Sequence, residues 1–334
     1  MELHKKRILI VGGYGLVGSN IAHLIRKKYK STDLILAGRN PKNGEELAKE
    51  LTNAETAYLN LDEGFQLSLY GAVDLIIIAM EDHKNILREA AISNGIACIN
   101  ITELAEEISP TVILSLHENL SAPIVLAAHW QAGIITLVAS QVAARFSQIT
   151  RVDTAGVYDE KDPVGPLVES QVGSFVSKAL LREHGKWQFV DAKSNARTIR
   201  LYDQTSIAGY PMSTLDVPSI AAFTGAANIR FDFATGKSIG TNKGLAASHD
   251  LYLDIEGVLL SGETVKLRIV ISDSKGVSHL TAVGVFLIVE GIFNFDDQNT
   301  VQKGGLYLPE TIVSTDNIIN RLAEFEIDII EEIS

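Results

Sequence analysis

The chain has 334 residues, 46% of them hydrophobic, which is long enough for two domains and too apolar for a disordered chain. Its 41 acidic residues outnumber 29 basic ones for a net charge of −12, which argues against nucleic acid and anionic membrane surfaces as partners. One cysteine, Cys98, excludes an internal disulfide and fits a reducing compartment. No stretch approaches the roughly 18 consecutive apolar residues of a membrane span. The N-terminal charges lead into a glycine-rich turn and not into a signal-peptide cleavage site. The expectation is a soluble, cytoplasmic protein.

Taken in chain order, the first element is an apolar run, Arg7-Ile8-Leu9-Ile10-Val11, that feeds into Gly13-Tyr14-Gly15-Leu16-Val17-Gly18. A helical pattern follows in Ile21, Ala22, Leu24 and Ile25. Strand, glycine turn and helix in that order predict a dinucleotide site. Gly13 permits the tight turn, Gly15 lets backbone approach a pyrophosphate, and Gly18 lets the helix sit close to the strand. The free N–H groups at the helix start then face the anion.

Leu34–Ala37 is the second strand, ending in Gly38-Arg39-Asn40. Sites that prefer NAD carry Asp or Glu about 20 residues past the motif, on the ribose 2′-hydroxyl. That place falls near Gly38, which has no carboxylate, and Arg39 beside it suits the 2′-phosphate of NADP. The glycine leaves room for that phosphate, so NADP is expected over NAD. Asp33 begins this strand and lies at the wrong edge of the sheet.

The alternation continues. A helix is expected over Gly44–Leu51, strands over Ala57–Leu61 (ending at Asp62), Asp74–Ala79, Ala97–Ile101 and Ile124–Ala128, and helices over His83–Asn94 and Ile134–Phe146. This rhythm predicts an α/β fold with a Rossmann-type, doubly wound parallel sheet over residues 1–148. Ligands of such sheets sit beyond the carboxyl ends of the strands. Asp62, Ala79, Met80 and Thr102 therefore join the glycine turn, Gly38, Arg39 and Asn40 as cofactor contacts, and His129 is placed in the same cleft.

Past about residue 150 the pattern changes. Thr198–Tyr202, Asn228–Phe233, Leu251–Leu259 and Val265–Ile271 read as antiparallel strands, the last two joined by a turn at Ser261-Gly262-Glu263. Helices are expected at Gly173–Glu183, Pro218–Ala226 and His279–Glu290, and another after Ser314 to about Phe325. An α+β substrate and dimerisation domain with a mostly antiparallel sheet over residues 149–305 follows, then a C-terminal segment, 306–334, that packs back on the first domain. An open sheet face of this kind suits a homodimer.

Four stretches resemble the saccharopine dehydrogenase-like family of NAD(P)-dependent oxidoreductases. They are Val11–Gly18 with Ala37-Gly38-Arg39-Asn40, Ala97-Cys98-Ile99-Asn100-Ile101-Thr102-Glu103, Val125–Ile134, and Gly304–Glu310. Asn100 stands where that family commonly has Asp, and His129-Trp130 replaces a glycine-containing turn. The resemblance implies NADP-linked hydride chemistry at a C–N bond, on an imine, amino acid or polyamine-like small molecule.

Candidates for the catalytic groups come from position. His129 ends a strand and can change protonation near neutral pH, Trp130 beside it is a substrate contact, and Tyr158 opens the cluster Tyr158-Asp159-Glu160-Lys161. His249-Asp250 and Arg230 are weaker candidates, and His279 reads as a cap or core-edge residue. None of the tyrosines has Lys at i+4, which rejects the short-chain dehydrogenase mechanism. The eight histidines lack metal-ligand spacing, so no metal is expected. The competing reading is a non-catalytic NADP-binding regulatory protein.

Overall fold

Two sheets organise the chain. The computed structural model describes residues 5–102, 108–165, 178–293 and 303–333. It divides into two compact units: Met1–Ala128 with Thr281–Val313, and His129–Leu280 with Ser314–Ser334. Among the described residues no helix is long and apolar enough to cross a membrane.

In the first unit, with strands numbered in chain order, β1 (Arg7–Val11), β2 (Asp33–Gly38), β3 (Ala54–Tyr58), β4 (Leu75–Ile78), β5 (Ala97–Asn100) and β6 (Pro123–Leu126) are joined by β15 (Gly305–Tyr307). Their order in space is β15-β6-β5-β4-β1-β2-β3, with every pairing parallel. This is the doubly wound order with one strand added beside β6. Ile8–Val11 and Leu75–Ile78 are buried along their whole length, as strands covered on both faces require. β3 begins three residues before the expected Ala57, because this edge strand mixes Glu55 and Thr56 with alanines and carries no apolar run. A helix at Ile108–His117, with Pro110 in its first turn, was not foreseen.

In the second unit the strands are β7 (Phe146–Tyr158), β8 (Lys178–Glu183), β9 (Lys186–Asp191), β10 (Arg197–Arg200), β11 (Ser206–Pro211), β12 (Asn228–Thr235), β13 (His249–Leu259), β14 (Thr264–Asp273) and β16 (Ile327–Ile333). They run β10-β11-β12-β7-β13-β14-β16, and β8 pairs with both β12 and β9. The sheet is mixed: β12 lies parallel to β7, where Asn228–Phe233 was expected to be antiparallel, and the other pairings described are antiparallel. The β13–β14 hairpin turns at Gly262, whose φ of +91° favours glycine.

Some expected helices are not helices. Lys178–Glu183, the end of the helix expected at Gly173–Glu183, is strand β8, and residues 173–177 lie outside the described residues. The C-terminal helix spans only Ile318–Ala323, and the chain ends in β16 paired with β14.

Candidate functional site

The glycine turn is built by exclusion of side chains. After β1, the N–H groups of Gly12 and Gly13 both donate to the Ala37 carbonyl, at 2.8 and 3.3 Å. Gly12 has φ +80°, and a Cβ there would lie 2.8 Å from the Ala79 carbonyl oxygen. A Cβ on Gly13 would lie 2.7 Å from the Ile10 carbonyl oxygen, and one on Gly18 would collide with the backbone of Gly12 and Gly13. Gly15 differs: it is exposed, and a Cβ there would meet only the Gly12 carbonyl oxygen, at 3.2 Å. The helix Leu16–Lys28 starts at Gly15 with no side-chain cap and no acidic residue in its first turn. Its opening N–H groups are thus left for an external anion. Gly15 forms the open wall of the cradle, so these residues fit a dinucleotide pyrophosphate.

At the end of β2 the structure departs from the sequence reading. The space beside Gly38 is not vacant. The phenol of Tyr14 fills it, its hydroxyl pressed close against the position a Cβ of residue 38 would take. The same ring packs on Gly44, where a Cβ would be 2.7 Å from Tyr14 Cδ1. The Asn40 N–H donates to Tyr14 Oη at 2.9 Å. Arg39 and Asn40 are exposed.

The ends of β4 and β5 are tied together. Thr102 Oγ1 donates to the Met80 carbonyl at 2.7 Å, and its N–H and hydroxyl both lie 3.0 Å from Asn100 Oδ1. Asn100 is buried, so its amide is a structural post that presents Thr102. Ala79 and Met80 are half-buried next to the glycine turn. Asp82 caps the helix Ile86–Asn94, accepting from Ile86 and Leu87 N–H at 2.9 and 2.8 Å. Asp62 is exposed in a short turn, its N–H donating to Asn60 Oδ1 at 3.3 Å.

The other candidates belong to the second unit. His129 is buried, and its Nε2 is 2.8 Å from Ser219 Oγ. The chain then turns through Gln131 and Ala132, at φ 51° and 50°, and Gly133 at φ 92°. Two non-glycine residues in the left-handed region cost roughly 1–2 kcal/mol each. Asp216 holds this elbow: its carboxylate, fully buried, accepts from Trp130 N–H at 2.8 Å and from Thr136 Oγ1 at 2.7 Å. Trp130 is half-buried and packs on Phe231, Phe233 and His249 with ring centroids 5.4, 5.8 and 6.2 Å away. Gly156 makes room, since a Cβ there would be 2.6 Å from Trp130 Nε1.

Tyr158, expected in a loop, is the last residue of β7 and stacks on Phe233 at 6.2 Å. Trp130 and Tyr158 are therefore joined through Phe233, with His249 stacked on Trp130 itself, while Arg230 points its guanidinium at Asp232 at 2.5 Å. His279 Nδ1 lies 2.7 Å from Asp273. The Trp130 indole N–H donates to His249 Nε2 at 3.3 Å, which leaves the His249 proton on Nδ1, 3.8 Å from Asp162 Oδ2. Burial drives His249 down to about 3, so the ring is neutral. Burial also pushes the Asp162 carboxyl up to about 6, with the neighbouring carboxylates Asp273, Asp159 and Asp250 adding to the rise against the Val277 N–H.

Asp162, Asp216 and Ser219 were missed in the sequence. Only Asp216, an acidic residue just ahead of Pro218 in an expected helix, carried a signal, that of a helix start.

Residues 1–105 match the family model for shikimate / quinate 5-dehydrogenase. No curated protein matches the chain by sequence. Among solved structures, apo saccharopine dehydrogenase (L-Glu forming) from Saccharomyces cerevisiae is similar at a TM-score of 0.70 and 12% identity, covering 98% of this chain and 100% of that one. Homospermidine synthase from Legionella pneumophila, in complex with NAD, is similar at a TM-score of 0.67 and 10% identity, covering 99% and 92%. An oxidoreductase from Agrobacterium radiobacter, in complex with NAD+, L-tartaric acid and magnesium, gives 0.50 and 13%, covering 94% and 93%. The chain has the saccharopine dehydrogenase-like fold that its motifs resemble, essentially over its whole length.

Proposed function

We propose that this chain, with its saccharopine dehydrogenase-like fold, is a nicotinamide-dinucleotide oxidoreductase that prefers NADP and acts at a C–N bond of an imine, amino acid or polyamine-like small molecule. The glycine turn carries the reading: Gly12, Gly13 and Gly18 admit no side chain, whereas Gly15 opens to solvent before an uncapped helix. When bound, the dinucleotide supplies the hydride chemistry. The N–H groups at the start of Leu16–Lys28 hold its pyrophosphate, and Met80 and Thr102 border the strand ends beyond the turn. The complexes of the Legionella and Agrobacterium proteins with NAD support a nicotinamide cofactor. The preference for NADP rests on Arg39, an exposed guanidinium, and on the lack of a carboxylate at Gly38.

On the second unit, Tyr158 and His129 are the proton-handling groups and Trp130 is the apolar contact for substrate. Tyr158 is the better donor of the two, because it is half-buried while His129 is buried against Ser219. That same engagement of His129, with the indole N–H of Trp130 on His249, favours the second reading, a non-catalytic NADP-binding regulator. The open parts of the second sheet, including the exposed Trp187 and Phe189 of β9, suit pairing with a second copy, and a monomeric mass by light scattering would remove that.

Fluorescence titration with NADPH and NADH side by side tests the cofactor. Tight NADPH binding that weakens roughly tenfold in Arg39→Ala supports it, since a guanidinium–phosphate contact is among the strong hydrogen bonds. Binding of neither cofactor would end the oxidoreductase reading. Turnover across a panel of imines and amino acids then separates enzyme from regulator.

A further inference from the structure

Tyr14 stands at a position of the glycine turn that the dinucleotide motif leaves open. Its ring is seated between two glycines, Gly38 and Gly44, and could not occupy this place if either had a side chain. Its hydroxyl therefore stands at the carboxyl end of β2, beside the side-chain position of residue 38. In dinucleotide sheets a carboxylate near this position accepts a hydrogen bond from the ribose 2′-hydroxyl. A phenol there behaves differently. One lone pair of Oη is taken by the Asn40 N–H at 2.9 Å, which turns the hydroxyl's own hydrogen away from Asn40 and presents it as a donor. Among the described residues that hydrogen has no acceptor. Arg39 follows Gly38 in the chain; it is exposed and, among the described residues, makes no ion pair or hydrogen bond. Two donors, with no carboxylate at residue 38, match an anion.

We infer that the Tyr14 hydroxyl is the second donor to the 2′-phosphate of the cofactor and, with Arg39, sets the choice between phosphorylated and unphosphorylated dinucleotides. This rests on the dinucleotide reading above. The phenol takes over the place of the missing carboxylate and reverses its preference, because a donor favours phosphate where an acceptor would repel it.

The test uses the full chain, as wild type, Tyr14→Phe, Arg39→Ala and the double variant, titrated with NADPH, NADH, 2′,5′-ADP and 5′-AMP. Phenylalanine keeps the ring between Gly38 and Gly44, and the exposed Asn40 N–H can turn to water, so thermal melts should coincide with wild type. Tyr14→Phe should weaken NADPH and 2′,5′-ADP about tenfold and change NADH and 5′-AMP less than about twofold, as expected for one lost hydrogen bond to a charged group. The double variant should lose less than the product of the two single losses if both residues hold one phosphate. Equal weakening of both cofactors, or no weakening of NADPH, would overturn the assignment and leave Tyr14 as a packing residue. A wild-type protein that binds NADH more tightly than NADPH overturns the 2′-phosphate reading while the dinucleotide site stands. One that binds none of the four probes overturns the dinucleotide reading itself.

Discussion

Two strand-to-helix junctions, Val11–Leu16 and Leu126–Ile134, solve the same steric problem in opposite ways. The first places glycine wherever backbone must approach backbone, and it leaves the polar groups of its helix start uncapped. The second uses glutamine and alanine at positive φ and is held by a buried aspartate. One junction is open and relaxed; the other is closed and strained. An opening with unsatisfied donors needs a ligand to complete it, whereas a strained turn with its donors satisfied needs only its own neighbours.

The largest effect should separate two glycines of the open junction. Gly18→Val would drive a branched side chain into the backbone of Gly12 and Gly13, costing about 3 kcal/mol of stability together with cofactor binding. Gly15→Ala should leave the denaturation midpoint close to wild type and weaken only the binding. Equal damage from both, measured by urea unfolding and titration, would mean that the turn has no open side.

The closed junction should fail at its clamp. Asp216→Ala leaves the Trp130 N–H and the Thr136 hydroxyl buried without an acceptor, at about 1–3 kcal/mol each. A loss under about 1 kcal/mol in urea unfolding would show that the elbow does not depend on this carboxylate.

The His249–Asp162 pair gives a pH test in the same unit. His249 falls from 6.5 to about 3, so its contribution is present above pH 6.5 and is lost as pH falls toward 3. Asp162 rises from 3.8 to about 6, so its contribution is present below pH 3.8 and is lost as pH rises through about 6. The two oppose each other across one window. Asp162→Asn removes the second trend and should make stability climb more steeply between pH 4 and 6.5; an unchanged slope would remove Asp162 from the pair.

The smallest effect concerns strain alone. Ala132→Gly relieves a left-handed alanine and should raise stability by up to about 1 kcal/mol, less the entropy that glycine adds to the unfolded chain. A thermal melt that moves down would show that the Ala132 methyl group contributes more by packing than its backbone costs.

The two junctions also differ in how far they were legible. The open one was readable because its residue types have few other uses: Gly13, Gly15 and Gly18 at fixed spacing, between an apolar run and a helical pattern, report backbone geometry directly. The filled space at Gly38 was not, since the partner that fills it, Tyr14, is 24 residues away in sequence. The closed junction hid for the same reason. His129 and Trp130 stood out by type and position, but Asp216 and Ser219 reach them from nearly 90 residues further on. β7 is hidden from local pattern because its first half interleaves Ser147, Gln148, Thr150 and Arg151 with the apolar residues, which makes Tyr158 look like loop. β8 was read as helix because Ala179, Leu180 and Leu181 favour one when taken alone. Parallel pairing of β12 with β7 is a property of topology, which local alternation does not encode.

The seventh strand of the first sheet has a consequence for how the protein is made. β15 lies beside β6, yet it is encoded after all the strands from β7 to β14. During synthesis the first sheet therefore emerges with β6 as a bare rim and waits for the strands of the second unit from β7 to β14 before β15 covers that rim. A fragment ending at Ala128 would keep the glycine turn and Arg39 but carry the rim exposed, a template for pairing between molecules. Excising this domain for study or for fusion thus calls for grafting Gly305–Tyr307 back beside β6.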